Sequence, residues 1–307
     1  MKVKTPATLL QAASLTEDQA RQLLEQVRWP NGPVCPHCKQ SERIGVLNGE
    51  KHRKGLYKCY GCRKQFTVTV GTMMHRSHIT LRQWVVAFYS ICAHKKGVSA
   101  LQLQRDLGLG SYEAAWHLAH RIREAMNEEP MQSLIAGAVE VDETYVGGKS
   151  RQGKRGRGSE RKTPVVAVIG REGGIKVASS PNVGSKALKT IITGAVEPSA
   201  TIYTDEWPGY NGIGMAFAGG HETVCHGQKE YARGSAHVNH AESFFALLKR
   251  GVHGTFHSIS KKHLDRYCDE FAFRWNLRDT TDGQRTVAAM SGMDGKRLEY
   301  KVLVGRG

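Results

Sequence analysis

The chain has 307 residues, 40% hydrophobic and 23% charged. That composition excludes a disordered, collagen-like or coiled-coil polypeptide and suits about two domains. Its 44 Lys and Arg against 28 Asp and Glu leave +16 at pH 7, a balance that points to a polyanionic partner, nucleic acid foremost. The longest apolar run, about Trp84–Ala93, falls far short of the roughly 18–20 residues of a membrane span. The lysines near Met1 have no apolar stretch behind them, so neither a membrane segment nor a signal peptide is expected. Of the seven cysteines, four form two tight pairs, which favours metal binding in a reducing compartment over a disulfide framework. A cytoplasmic, nucleoid-associated location is the expectation.

In chain order, Thr16-Glu-Asp-Gln19 starts a helix that must end near Trp29, before Pro30-Asn31-Gly32-Pro33. A Cys-rich segment follows from Cys35 to about Val70, with strand-like Leu56-Tyr-Lys-Cys59 and Gln65–Val70. Thr80, Ser99 and Ser111 then open three helices. From Ala138 the pattern turns to strands: Ala138–Val146, Pro164–Gly170, Gly174–Ser180, Ala200–Asp205 and Glu222–Cys225, with a helix through Ala187–Val196. Two helices, about 239–250 and 262–278, come next. The alternation of Arg297–Val304 predicts a final strand. The Gly-, Lys- and Arg-rich stretch Gly147–Lys162 reads as a long hairpin loop.

Cys35-Pro-His-Cys38 and Cys59-Tyr-Gly-Cys62 are two knuckles that each bite a metal from a tight turn. Four thiolates complete a closed tetrahedral zinc site, and the segment around it is too short to hold a core of its own. Residues 99–126 resemble a helix-turn-helix, with His117, His120, Arg121 and Arg123 mostly off the apolar side of the last helix. A three-helix bundle with a solvated basic face accounts for the same pattern.

The acids are the other signal. In Val139-Glu-Val-Asp-Glu143, alternation puts Glu140 and Asp142 on one face and Val139 and Val141 on the other. Asp205 ends a second apolar strand, where ligand sites of α/β sheets lie. Glu242 sits in the first turn of a helix, and Lys249 lies two turns further on the same face. Three carboxylates without a basic ligand suit Mg²⁺ or Mn²⁺ rather than zinc. Asn239-x-x-Glu242 also reads as a capping box with Asn239 as N-cap, an account of Glu242 that needs no catalysis.

These stretches together resemble a known family. Cys59-Tyr-Gly-Cys62-Arg-Lys-Gln-Phe66, Val139-Glu-Val-Asp-Glu-Thr-Tyr-Val-Gly-Gly148, Thr204-Asp205, His237-Val-Asn-His-Ala-Glu-Ser-Phe-Phe245, Leu248-Lys-Arg250 and Glu270-Phe-Ala-Phe-Arg-Trp-Asn-Leu-Arg278 are similar to insertion-sequence transposases of the DDE superfamily, in the ISXO-like group with an N-terminal zinc ribbon. The resemblance implies an α/β, ribonuclease-H-like catalytic core behind a zinc ribbon and a small helix-turn-helix module. The domains expected are an N-terminal helix (1–30), the ribbon (31–72), the helical module (78–128), the catalytic domain (136–282) and a tail (283–307).

The activity it implies is a DNA transposase that binds terminal inverted repeats and target DNA as at least a dimer. Water cleaves the element's end, and the freed 3′-hydroxyl attacks target DNA. Two Mg²⁺ or Mn²⁺ ions would be held by Asp142, Asp205 and a third ligand, Glu242 or Asn239; Cys35, Cys38, Cys59 and Cys62 would hold one Zn²⁺. Lys249, Arg250, Lys154, Arg155, Arg157 and Arg121 are the DNA contacts expected. A nuclease that never joins strands, or a DNA-binding regulator on an inactive core, are the rival readings.

Overall fold

The computed structural model describes residues 4–127, 133–148, 162–224 and 237–305. Lys154, Arg155 and Arg157 lie outside them. The chain divides into two compact units, one formed by Met1–His94, Val98–Met126 and Asp279–Gly307, the other by Lys95–Gly97 and Asn127–Arg278. Among the described residues no helix is long and apolar enough to cross a membrane.

The first unit begins with α1 (Leu9–Ser14) and α2 (Glu17–Arg28). The capping box at α2 forms: Gln19 N donates to Thr16 Oγ1 at 3.2 Å and Thr16 N to Gln19 Oε1 at 2.9 Å. The short α1, capped by Thr8, is too brief for its periodicity to be expected from sequence. Strands β1 (Ile44–Val46), β2 (Tyr57–Cys59) and β3 (Gln65–Phe66) pair antiparallel in that order. The strand expected over Gln65–Val70 is therefore only two residues long. Trp29, Tyr57 and Phe66 meet with ring centroids 5.4–5.8 Å apart against this small sheet.

Helices α3 (Leu81–Ala93), α4 (Ala100–Leu107) and α5 (Tyr112–Ala125) start at Thr80, Ser99 and Ser111, whose hydroxyls each accept an N–H from the first turn. Gly108 closes α4 in the left-handed region at φ 62°. The basic face expected on α5 is not exposed: His120, Arg121 and Arg123 are 0%, 7% and 2% accessible. Arg121 lies on the Trp84 ring and donates to His75 O, His120 packs on Trp116, and the C-terminal segment adds cover. Helix α9 (Asp282–Ser291) packs on α3 and α5, Lys296 Nζ donates to Glu124 O at 2.7 Å, and Leu298 O lies 2.8 Å from His117 Nε2. The tail also departs from the expected strand. Its last part turns into a short helix, α10 (Tyr300–Leu303), with Leu303 buried.

In the second unit β4 (Ala138–Gly147), β5 (Lys162–Gly170), β6 (Ile175–Ser179), β7 (Thr201–Asp205) and β8 (His221–Val224) form one sheet in the order β6-β5-β4-β7-β8. The β4–β5 and β5–β6 pairs are antiparallel, and β4–β7 and β7–β8 are parallel. Gly147 pairs with Lys162, so the two ends of the expected basic loop face each other. Val165, Ala167 and Ile169 of β5 pack under α7 (Asn239–Gly251) and α8 (Leu264–Asn276). Val166 and Val168 pack on the opposite face with α6 (Ser185–Thr193), Val183 and Tyr210. A strand covered on both faces has to be apolar throughout, which is how Thr163–Gly170 reads. The edge strand β6 is tied down by α8: Asp265 accepts from Ser179 N and Oγ at 2.7 and 3.0 Å, and the Asn276 amide exchanges hydrogen bonds with the Ile175 backbone.

Candidate functional site

Among the described residues, chemistry-bearing side chains gather in both units. In the first unit the Sγ atoms of Cys35, Cys38, Cys59 and Cys62 all lie within 4.8 Å of one another, with Cys35–Cys62 at 3.7 Å and Cys38–Cys59 at 3.6 Å. Tetrahedral zinc with bonds of about 2.3 Å needs sulfurs about 3.8 Å apart, so the spacing fits. The knuckles share a backbone device. Lys39 and Arg63, each directly after a second cysteine, take φ of 63° and 62°. A Cβ at Gly61 would come within 2.1 Å of Gln40 Oε1, the end of a flexible side chain that packs against this knuckle. The amides of Cys62 and Gly61 pull the Cys59 thiol down to about 7, toward the thiolate that binds metal.

In the second unit the acids follow from strand parity. Val139, Val141 and Ile202 point into the α6 side of the sheet. Glu140, Asp142, Tyr203 and Asp205 therefore belong to the side that α7 covers. Glu140 pairs with Tyr203 across the parallel β4–β7 ladder. Continued two residues, the same register brings Asp142 level with Asp205 where the two strands stop pairing. Glu242 enters from above, in the first turn of α7.

The charges interact. Asp142 is raised to about 7, first by burial, then by Glu143, Asp205 and Glu242, against the pull of the Glu143 amide. That amide donates to Asp142 Oδ1 at 2.7 Å. Asp205 also serves its own turn, accepting from Trp207 N at 3.0 Å. Glu242, Lys249 and Arg250 are exposed, and the last two lie in the final turn of α7. The three carboxylates do not close around one point. Side-chain atoms within 4.8 Å of one another, as one ion would need, occur among the described residues at the four cysteines and at Glu140, His237 and His240.

That second cluster is one that sequence reasoning missed. Glu140 is fully buried. Its Oε1 accepts from Arg171 Nε and lies 2.9 Å from His240 Nδ1 and 3.0 Å from His237 Nδ1. Its Oε2 accepts from His240 N at 2.9 Å. A guanidinium already on the same oxygen disfavours a cation there, so the group is a clamp rather than a metal site. Arg171 Nη2 also donates to His237 O at 2.9 Å, and its guanidinium lies over the Tyr203 ring at 4.0 Å.

The clamp corrects an expectation. Asn239 is not the N-cap of α7; Val238 is, and no side chain of the helix's own start caps it. Glu140, reaching across from β4, accepts from the second helical amide instead, and a carboxylate there also suits the positive end of the helix. The capping-box account of Glu242 therefore fails. The only advance signal was an acid in mid-strand, which has to be paired or bound. Glu143, on the other face, accepts from Tyr210 Oη at 2.6 Å.

Comparison with known proteins assigns a zinc-ribbon domain followed by an α/β transposase domain, and the chain belongs to the ISXO2-like transposase family. Residues 134–276 match the ISXO2-like transposase domain and residues 15–65 the transposase zinc-ribbon domain. The chain is also 30% identical over 275 residues to an uncharacterized protein in transposable element ISH50 of Halobacterium salinarum, covering 85% of this chain and 91% of that one.

Proposed function

We propose that the chain is the DNA transposase of an insertion sequence, with a ribonuclease-H-like core that cleaves and joins DNA strands at Asp142, Asp205 and Glu242. The observation that carries this reading is Asp142, held near 7 by burial and by the converging charges of Glu143, Asp205 and Glu242. Negative charge concentrated at a half-buried point costs stability unless cations neutralise it. Oxygen donors alone fit Mg²⁺ or Mn²⁺. Carboxylates spread wider than one ion can bridge fit a pair of ions roughly 3.5–4 Å apart. Bound there, such ions would supply charge stabilisation and activate the attacking oxygen.

The chain's own groups do the rest. Asp142 is held by the Glu143 amide and Asp205 by the Trp207 amide, so each presents its other oxygen to the site. The Glu140 clamp fixes the start of α7, and with it Glu242, against the strand that carries Asp142. Lys249, two helical turns from Glu242, would take a DNA phosphate beside the site, with Arg250 next to it in the last turn of α7. The mixed sheet with acids on the adjacent central strands β4 and β7 supports the ribonuclease-H-like reading. The cysteine cluster supports one structural Zn²⁺, and the basic balance supports terminal inverted repeats and target DNA as partners of a multimer.

The test is an incubation of purified protein with labelled element ends, target DNA and Mg²⁺. Nicked ends and joined products are expected, both lost in Asp142→Asn, Asp205→Asn and Glu242→Gln. Nicking without joining would make the protein a nuclease, and neither product would make it a regulator.

A further inference from the structure

The first unit contains a basic cavity of about 350 Å³ whose wall includes His75, Arg76, His117, Arg121, Arg297 and Glu299. Its charges are unbalanced in a specific way. Glu299 is shared by Arg297 Nη2 at 2.8 Å and Lys301 Nζ at 3.3 Å, so the one carboxylate of the wall is already neutralised. Arg121 is 7% accessible. Its Nη2 donates to His75 O at 3.0 Å and its guanidinium lies 5.3 Å from the centre of the Trp84 ring. Its Nε is buried with no acceptor among the described residues. Burial and the Arg297 charge push it down to about 10, so what surrounds this guanidinium disfavours its charge.

An arginine buried with a donor to spare, with a second guanidinium as neighbour and no carboxylate of its own among the described residues, lacks an oxyanion. Carbonyls, rings and imidazoles supply none. We infer that this cavity is a phosphate-binding site, with Arg121 at its floor and Arg297 and Arg76 at its rim, and that the phosphate is one of the DNA backbone. The guanidinium fork matches tetrahedral oxyanions, and phosphate contacts position a protein on DNA without reading its sequence. The DNA source rests on the function proposed above; the anion chemistry of the pocket does not. Arg121 would then meet DNA from inside a pocket, not from an exposed recognition face.

Two measurements on the zinc-loaded full chain decide it. The first is calorimetric titration with inorganic phosphate at constant ionic strength, balanced with chloride. One saturable phosphate per chain is expected, weakened about tenfold or more in Arg121→Gln and in Arg297→Ala, the loss of one charge-assisted contact. Arg297 and Arg76 are exposed, so Arg297→Ala and Arg76→Ala keep the fold if Arg121→Gln does not. No saturable phosphate, or equal binding in the rim variants, overturns the pocket. The second is the salt dependence of duplex DNA binding, whose slope should fall by roughly 0.9 in Arg297→Ala. Phosphate binding with an unchanged slope overturns the DNA source. If the wild type binds no DNA at all, the transposase reading fails, while the phosphate titration still tests the pocket.

Discussion

Asp142→Asn should make the magnesium-free protein more stable while abolishing strand cleavage. An acid whose folded value lies above its unfolded one destabilises the fold once ionised. The unfolded chain releases this proton near the ordinary 3.8, whereas the folded chain keeps it to about 7. Stability therefore falls as pH rises from about 4 to about 7, and the loss is complete above that. At about 1.36 kcal/mol for each tenfold change the full span is about 4 kcal/mol, and water at the partly open side chain reduces it to about 2–4 kcal/mol. Asparagine keeps an oxygen for the Glu143 amide and removes the charge, so it should recover that amount at pH 8 and almost none at pH 4. Hydrogen exchange of the β4 amides reads opening of the second unit without interference from the first. Added Mg²⁺ should stabilise the wild type by about 2.7 kcal/mol at a hundredfold excess over its dissociation constant, and the variant much less. A D142N variant no more stable than wild type at pH 8, or a difference that does not change with pH, would refute the argument.

Cys59→Ser should lose zinc and unfold the ribbon, which metal analysis and circular dichroism will report; full zinc occupancy would contradict the four-thiolate site. Glu140→Gln should cost roughly 3 kcal/mol in chemical denaturation, because Arg171 loses its buried counter-charge, and should slow cleavage by misplacing α7. Glu242→Gln should fold, bind ends and fail to cleave, while Asn239→Ser cleaves; the reverse result would make Asn239 the third ligand. Replacing Lys154, Arg155 and Arg157 with Ser should lower the salt slope of DNA binding by up to roughly 0.9 for each lost contact, without sequence preference.

What the sequence disclosed was local. Thr16 and Thr80 find their partners three residues away, so their capping boxes were legible, and the cysteine knuckles are turns of four residues. Strand parity alone put Glu140 and Asp142 on one face. Two of the failures turned on partners distant in sequence. Asn239 looked like a cap because Glu140, about a hundred residues earlier, could not be seen to hold the first turn through the His240 amide. The basic side of α5 looked free because Trp84 and His75 come from an earlier stretch and part of its cover, 279–305, comes more than 150 residues later. That segment carried its own helix signal, the Thr281-Asp-Gly-Gln284 capping box that does form, but a helix start does not say which helix it will pack on.

The return of the chain has a consequence for synthesis. Arg285 donates to Cys92 O at 3.3 Å, Met73 N to Met293 O at 3.2 Å, and Arg28 Nη2 lies 2.5 Å from Asp294. The unit that carries the cysteine cluster is thus finished by its last stretch of chain, after the whole sheet with Asp142 and Asp205 has been translated. At roughly 5–20 residues per second, the intervening span imposes a delay of about 8–30 s. A chain truncated inside the sheet lacks Arg297 and Leu298, which line the cavity beside Arg121, and the α9 that packs on α5. Prematurely terminated copies should therefore differ from the full chain in the surface they offer to nucleic acid, and not only in lacking a catalyst.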